Sequence, residues 1–142
     1  MAPPITQKSL EAVSGTGAGK DTRILGHYHL TLFVVARNLD SANDTLTVLM
    51  EGSPNQVEWA SVGEASSDKK IDESDFSTDP ESGAETASVT FTASYHEYIR
   101  ARVSSLTDDA GGDLEVDAWI MAGGNAGQGR KGYGRQGPVT DL

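Results

Sequence analysis

The sequence has no cysteine, little positive charge, few aromatic residues and no long apolar run. Without cysteine, the chain has no disulfide framework, no thiolate metal site and no cysteine nucleophile. The longest apolar run, residues 30–36, has one threonine inside it and is far shorter than the ~20 residues of a membrane-spanning helix. The first residues lack the pattern of a signal peptide. We therefore expect a soluble, unprocessed chain with no membrane partner.

Acidic residues outnumber basic ones by 21 to 11, which gives a formal charge of −10 at pH 7. A protein of this charge is repelled by phosphate backbones, so nucleic acid is not an expected partner. Carboxylates hold water and cations when salt screens their mutual repulsion. The composition resembles that of proteins from extreme halophiles, notably haloarchaea and their viruses, with an ordinary acidic domain as the alternative.

The 142 residues are enough for one domain, and glycine and proline divide them into three parts. Residues 1–21 have two early prolines, a glycine cluster and no apolar periodicity. This pattern predicts a flexible or docking N-terminal arm, which becomes ordered only by contact. Residues 22–122 are predicted to form the folded domain. Residues 123–142 hold seven of the 16 glycines together with basic side chains, which predicts a Gly-rich tail.

The domain is a series of short β-type runs separated by turn clusters. Strands are predicted over residues 24–36, 45–51, 57–62, 84–95, 98–106 and 114–122. The first run is apolar on both faces, which is typical of a central strand. We expect it to form a hairpin with the second across a polar turn, and the last two to flank a hairpin loop at 107–112. The predicted fold is an all-β antiparallel β-sandwich, of the jelly-roll or immunoglobulin-like kind.

The acidic segment between residues 63 and 83 interrupts this pattern. It is predicted to be a long excursion with one short edge strand at most, and Ile71 and Phe76 are its candidate core anchors. Its carboxylates at 68, 72, 73, 75 and 79 lack the spacing of a calcium-binding loop, so a solvated loop is the favoured interpretation.

Other patterns suggest chemistry only weakly. Residues 14–21 resemble a phosphate-binding loop, but Ser14 occupies the position of the first glycine of that motif. Asp21 occupies the position where the motif has Ser or Thr. His27 and His29 share a predicted strand face, where two imidazoles could bind a metal with His96 or Glu97 as a distant third ligand, although interface histidines are the favoured interpretation.

Three further patterns have simple structural explanations. The pair at 108–109 falls in a predicted turn, where aspartate is expected for local hydrogen bonds rather than for a glycosidase reaction. Trp59 and Trp119 could stack on a sugar, but core or interface positions are favoured. Asn43 begins a glycosylation tripeptide of a kind that is frequent by chance. The sequence therefore assigns no catalytic residue, no cofactor and no metal, and predicts that the protein is not an enzyme.

Two stretches carry a resemblance to a known family. Residues 48–59 read Val-Leu-Met-Glu-Gly-Ser-Pro-Asn-Gln-Val-Glu-Trp, and residues 98–103 read Tyr-Ile-Arg-Ala-Arg-Val before a Gly-rich loop and a final strand. Over residues 24–122 this succession resembles a β-sandwich module of structural proteins of tailed viruses. The resemblance implies that the first stretch turns between two strands and that the second crosses the core. The acidic segment and the tail depart from the family pattern.

The resemblance implies a virion structural protein, and a capsid decoration or turret subunit on the capsid surface of a haloarchaeal tailed virus is the favoured interpretation. A neck or tail component and a carbohydrate-binding module for host attachment are the alternatives, followed by a small hydrolase. The expected partners are further copies of the chain, the major capsid protein and other virion proteins. The candidate interface residues are Arg130, Lys131, Tyr133, Arg135, His27 and His29.

Overall fold

A computed structural model of the protein describes residues 5–24, 29–62, 70–76, 83–92, 97–109 and 113–123. The strands of this part are, in chain order, β1 (Ile5–Val13), β2 (Gly17–Ala18), β3 (Thr22–Arg23), β4 (His29–Arg37), β5 (Thr45–Ser53), β6 (Ala60–Ser61), β7 (Lys70–Asp72), β8 (Ala84–Thr92), β9 (Tyr98–Thr107) and β10 (Glu115–Gly123). One 3₁₀ turn, Glu73–Asp75, follows β7. The described residues include no helix with the length and apolar character that a membrane crossing requires.

The strands form two antiparallel sheets that pack as a β-sandwich, which confirms the predicted fold class. Sheet A has the order β1-β10-β4-β8. Sheet B has β9 and β5 at its centre, with β2 and β3 paired to β9, and with β6 and β7 paired to β5. Every long ladder joins strands that are not consecutive in the chain. The two sheets are therefore tied together by the path of the chain as well as by their common core.

Alternating side chains of both sheets meet in one core. The inward positions of β4, β5, β9 and β10 are buried completely or almost so, as the alternation predicts. They are Leu30, Leu32, Val34, Ala36, Leu46, Val48, Met50, Ile99, Ala101, Val103, Val116, Ala118, Ile120 and Ala122. Ile71 and Phe76 are also buried, so both predicted anchors of the acidic segment are confirmed.

Both predicted hairpins are wrong. β4 and β5 lie in different sheets, and so do β9 and β10. The turn at 38–44 and the segment after Thr107 therefore carry the chain from one sheet to the other. Since both strands of each pair bury one alternating face in the same core, the apolar period specifies which face is inward but not which strand is the neighbour.

The predicted strand over 57–62 is confirmed only at Ala60–Ser61, which pairs with β5, and residues 57–59 are not part of a strand. The Oγ of Ser53 accepts the N–H of Asn55 at 3.1 Å, and the Oδ1 of Asn55 accepts the N–H of Val57 at 2.9 Å. These backbone N–H groups are therefore bound by side chains rather than by a neighbouring strand, as is common for Ser and Asn in turns. Val57 is consequently 73% exposed at the tip of a loop rather than on the inward face of a strand.

The N-terminal segment is not an unpacked arm, and this correction changes the boundaries of the domain. β1 pairs with β10 at an edge of sheet A, and Leu10 is in the core. The N–H of Lys20 donates to the carbonyl of Ser9 at 2.7 Å, and the N–H of Gly19 donates to Ala101 at 2.8 Å. Two register shifts in β1 break its apolar alternation, which hid the strand in the sequence. At the other end Gly123 belongs to β10, and residues 124–142 lie outside the described part.

Candidate interaction surface

The outer face of sheet A has apolar side chains at its centre. Trp119 on β10 and Phe33 on β4 are direct cross-strand partners, and Met121 pairs with Thr31 one step along the same ladder. The neighbouring residues of each strand are buried in the core, so these side chains point outward. All are only half-buried. We call Phe33, Trp119 and Met121 the outer apolar patch.

Two open grooves border this patch. The first, about 250 Å³ in volume, is lined by Thr6 of β1 together with Phe33, Trp119 and Met121. The second, about 410 Å³, continues from Met121 toward the end of the sheet, where His29 and Gly123 lie. Shallow apolar grooves on a sheet face accommodate the side chains of a protein partner. The predicted interface residue His29 is thus exposed beside the patch.

A group of charges stabilises one side of the patch. The Nζ of Lys8 lies 5.2 Å from the ring centroid of Trp119 and 3.8 Å from Oδ2 of Asp117. Arg37 donates two hydrogen bonds to the Asp117 carboxylate, at 2.6 and 3.1 Å. The bond from Arg37 is the main reason why the pKa of Asp117 is lowered, and the N–H of Ala12 lowers it further. The cations therefore compensate a carboxylate that is itself buried.

The outer face of sheet B has a different character. The guanidinium of Arg100 lies 3.9 Å above the ring of Trp59, and its Nε donates to Glu51 at 2.9 Å. Arg102 also approaches Glu51, at 3.8 Å. A cation therefore lies close over Trp59, whereas the cation over Trp119 on the opposite outer face, Lys8, lies farther from the ring, at 5.2 Å. Because the two tryptophans lie on opposite sides of the molecule, they do not form one sugar-stacking platform, and neither is in the core.

Charge is distributed unevenly between the sheets and their connections. The described strands contain as many acidic as basic residues: Glu11, Glu51, Asp72, Glu85, Glu115 and Asp117 against Lys8, Arg23, Arg37, Lys70, Arg100 and Arg102. In the described segments between strands, Lys20 is accompanied by Asp21, Asp40, Asp44, Glu58, Glu73, Asp75, Glu97, Asp108, Asp109 and Asp113. The flat faces are thus nearly neutral, and the excess negative charge lies at the ends of the strands.

Several of these acidic residues bind backbone N–H groups in connections between strands. Oδ1 of Asp44 accepts the N–H of Asp109 at 2.7 Å, and Oδ2 of Asp108 accepts the N–H of Leu114 at 3.0 Å. The side chain of Asp108 thus has the turn-stabilising role that the sequence predicts. Asn43, which begins the predicted glycosylation tripeptide, is exposed in a neighbouring turn.

The described carboxylates of the acidic segment have similar roles. Asp72 accepts the hydroxyl of Ser74 at 2.5 Å, which is the main reason why its pKa is lowered, and it also accepts the N–H of Ser74 at 3.0 Å. Glu73 accepts the N–H of Leu46 at 2.9 Å. Among the described residues, no three histidine, aspartate or glutamate side chains form a group that could hold a metal ion. The candidate ligands at 27, 68, 79 and 96 lie outside that part of the chain.

The glycine-rich segment at 14–21 forms backbone contacts rather than a phosphate cradle. The N–H groups of Gly19 and Lys20 donate to carbonyl groups of Ala101 and Ser9, and β3 rather than a helix follows. A phosphate-binding loop needs free N–H groups at a helix N-terminus, so this geometry does not suit one.

Of the predicted interface residues, only His29 is described, since His27, Arg130, Lys131, Tyr133 and Arg135 lie outside the described part. The residues of the outer apolar patch were not among the predicted interface residues. The sequence does contain an indication of the patch, because the strand that contains Phe33 is apolar on both faces. That pattern was interpreted only as the mark of a central strand.

Comparison with known proteins gives one informative result. No protein-family model matches the chain, and none of the curated proteins matches it. The crystal structure of the SPBc2 prophage-derived protein YomS is similar, with a TM-score of 0.52 over 86% of this chain and 96% of that chain, at 9% sequence identity. At this identity the similarity establishes the fold. The chain therefore shares its β-sandwich fold with a prophage-derived protein.

Proposed function

We propose that this chain is a non-enzymatic structural protein of a virus particle, acting as a capsid decoration or turret subunit on the capsid surface. Its partners would be the major capsid protein and further copies of the chain. The observation that carries this proposal is the outer apolar patch, a half-exposed aromatic pair on the sheet face of an otherwise acidic protein. The fold shared with a prophage-derived protein supports the viral context.

The physical properties of the patch suit assembly. Phe33 and Trp119 lie on the two central strands of sheet A, each of which is hydrogen-bonded on both sides. Their positions are fixed before any partner arrives, so binding orders few additional torsions. Tryptophan and other large apolar side chains at the centre of a patch supply most of the affinity at protein interfaces. A shallow apolar surface therefore favours a macromolecular partner over a small substrate.

The test is the presence and copy number of the chain in purified particles. Particles released from cells that carry the gene would be purified by density gradient and analysed by quantitative mass spectrometry against the major capsid protein. Hundreds of copies per particle, with antibody label over the head, support a decoration or turret role. A ring of roughly a dozen copies would replace that role with the neck or tail alternative. A chain that is abundant in cells and absent from particles would overturn the proposal.

A pair of tryptophan variants examines the surface in the same particles. Trp119→Ser removes the centre of the outer apolar patch, while Trp59→Ser removes the tryptophan on the opposite face. We expect Trp119→Ser to reduce incorporation at least tenfold and Trp59→Ser to retain it, provided that both variants melt cooperatively. Equal incorporation of the two folded variants would exclude the patch as the contact surface. Tryptophan fluorescence with glycans separately tests the carbohydrate-binding alternative.

A further inference from the structure

We propose that the occupant of the outer apolar patch is a second copy of this chain, and that two copies pack sheet A against sheet A in a symmetric dimer. This inference deepens the proposed assembly role, on which its biological meaning rests, by naming the surface and the partner. It concerns a property of the purified chain, so it can be tested without any virus particle.

Charge favours the flat faces of the sandwich for contact between identical molecules. Two copies that each have a formal charge of −10 repel each other in most orientations. The outer face of sheet A is an exception, because Lys8 and Arg37 are paired with Asp117, and Arg37 also lies 3.5 Å from Glu115. The excess of acidic over basic residues lies in the connections at the ends of the strands. A face-to-face approach keeps those ends at the edge of the interface, where water and salt screen them.

Apolar content distinguishes sheet A from sheet B as the contact face. On sheet B, Arg100 covers Trp59, and the guanidinium would have to be displaced or desolvated in a contact. On sheet A, the Nζ of Lys8 also lies over the ring of Trp119, but at 5.2 Å rather than 3.9 Å, and Phe33 and Met121 extend the apolar surface across two strands. The desolvation cost of association is therefore lower on sheet A.

The shape of sheet A suits a twofold arrangement. The outward side chains of β10 and β4 are large, whereas those of the adjacent edge strand β8 are small and exposed: Thr86, Ser88 and Thr90. A twofold axis parallel to the strands and through the middle of the sheet places β10 of each copy over β4 of the other, and β8 over β1. Each Trp119 then faces the Phe33 side of its partner, and the low side chains of β8 face β1. Such a contact is isologous, because the same patch is used twice and the assembly closes at two copies.

The available area predicts a weak but specific dimer. Four strands at ~4.8 Å spacing and nine residues at ~3.3 Å each give a face of about 600 Å². Two such faces bury about 1,200 Å², which is at the lower limit of specific protein interfaces. We therefore expect association that depends on protein concentration in the micromolar range, and that strengthens when salt screens the net charge.

The experiment measures the mass of the full-length chain by sedimentation and by light scattering in molar KCl, from low to high micromolar concentration. The informative variant is Ser88→Arg, which adds a long charged side chain to the exposed low side of sheet A without changing the core. Ser104→Arg, at an exposed position of β9 in sheet B, is the matched control. Trp119→Ser provides a second variant, and cooperative melting verifies that each variant is folded.

The proposal predicts dimers for the wild type and for Ser104→Arg, and a dissociation constant raised about tenfold or more for Ser88→Arg and Trp119→Ser. A wild-type chain that stays monomeric throughout would overturn it, and so would a dimer that both sheet A variants leave intact. The two proposals fail separately. A monomeric chain that is incorporated into particles assigns the patch to another virion protein, whereas a dimer that is absent from particles rejects only the virion role.

Discussion

Arg37 on β4 and Asp117 on β10 form a doubly hydrogen-bonded ion pair across the two central strands of sheet A, with N–O distances of 2.6 and 3.1 Å. The same carboxylate accepts the N–H of Ala12 at 2.6 Å, where β1 shifts its register and Ala12 has a φ of 50°. One carboxylate thus connects three adjacent strands. It also compensates for the strained backbone of β1, since few non-glycine residues have positive φ.

This pair predicts a specific loss of stability in acid. The hydrogen bond from Arg37 lowers the pKa of Asp117, so the folded state binds this proton less readily than the unfolded state. The contribution is complete above the ordinary aspartate pKa and is lost as pH falls through the lowered value. We expect Asp117→Asn to reduce the free energy of unfolding by ~1–3 kcal/mol at pH 7. The difference from wild type should shrink as pH decreases below ~4.

Denaturant unfolding at a series of pH values measures this effect. Asp113→Asn is the matched control, because Asp113 is an exposed aspartate in the connection before the same strand. We expect its difference from wild type to remain within about 0.5 kcal/mol. A constant gap between Asp117→Asn and wild type at all pH values would contradict the assigned role of the ionised carboxylate.

Gly19 is expected to tolerate no side chain. A Cβ on this residue would lie 2.1 Å from the carbonyl oxygen of Ser9, which is backbone and cannot move without disturbing β1. Gly19→Ala should therefore cost at least ~1–3 kcal/mol of stability, as overpacked sites do. Gly15→Ala is the control, since nothing lies within 4 Å of a Cβ there. Thermal melting compares them, and equal melting temperatures would show that the close approach is absent in solution.

The core of the sandwich could be predicted from the sequence because the alternation of apolar and polar residues along a strand shows which face is buried. The alternation of β5, β9 and β10 identified their inward residues correctly, and Ile71 and Phe76 were recognised inside a polar segment. The pairing of strands could not be predicted in this way. β5 pairs with β9 across more than forty residues of chain, and no local turn signal specifies such a partner.

The candidate surface was harder to predict for a related reason. Phe33 was correctly placed on the second face of an apolar strand, but a sequence does not show whether that face is covered by another layer. Trp119 was considered as a core or interface residue, and only the register of β10 with β4 places it opposite Phe33. β1 was missed because its bulges and the left-handed Ala12 interrupt the period that identifies strands.

Alanine substitutions should show how deeply two side chains of β8 are buried. Phe91 is 4% exposed, and its replacement by alanine should cost ~3–5 kcal/mol. Val89, on the same face of β8, is only half-buried against the core, so Val89→Ala should cost clearly less. Urea denaturation of both variants measures the order. A larger loss for Val89→Ala would indicate that the register of β8 against β4 is wrong.

The distribution of charge predicts that salt stabilises the fold. Ten acidic residues and Lys20 occupy the described segments between strands, so carboxylates at the ends of the sandwich repel one another. The Debye length decreases from ~10 Å at 0.1 M to ~3 Å at 1 M salt, which removes most of that repulsion. We expect the melting temperature to rise between about 0.1 and 2 M KCl.

A triple variant, Glu11→Gln, Asp109→Asn and Asp113→Asn, should melt higher than wild type in dilute salt and gain less from KCl. This variant separates charge screening from a general salt effect on apolar burial, since it changes only exposed carboxylates. A wild-type melting temperature that does not change over this range would remove the argument that the composition is an adaptation to a saline environment.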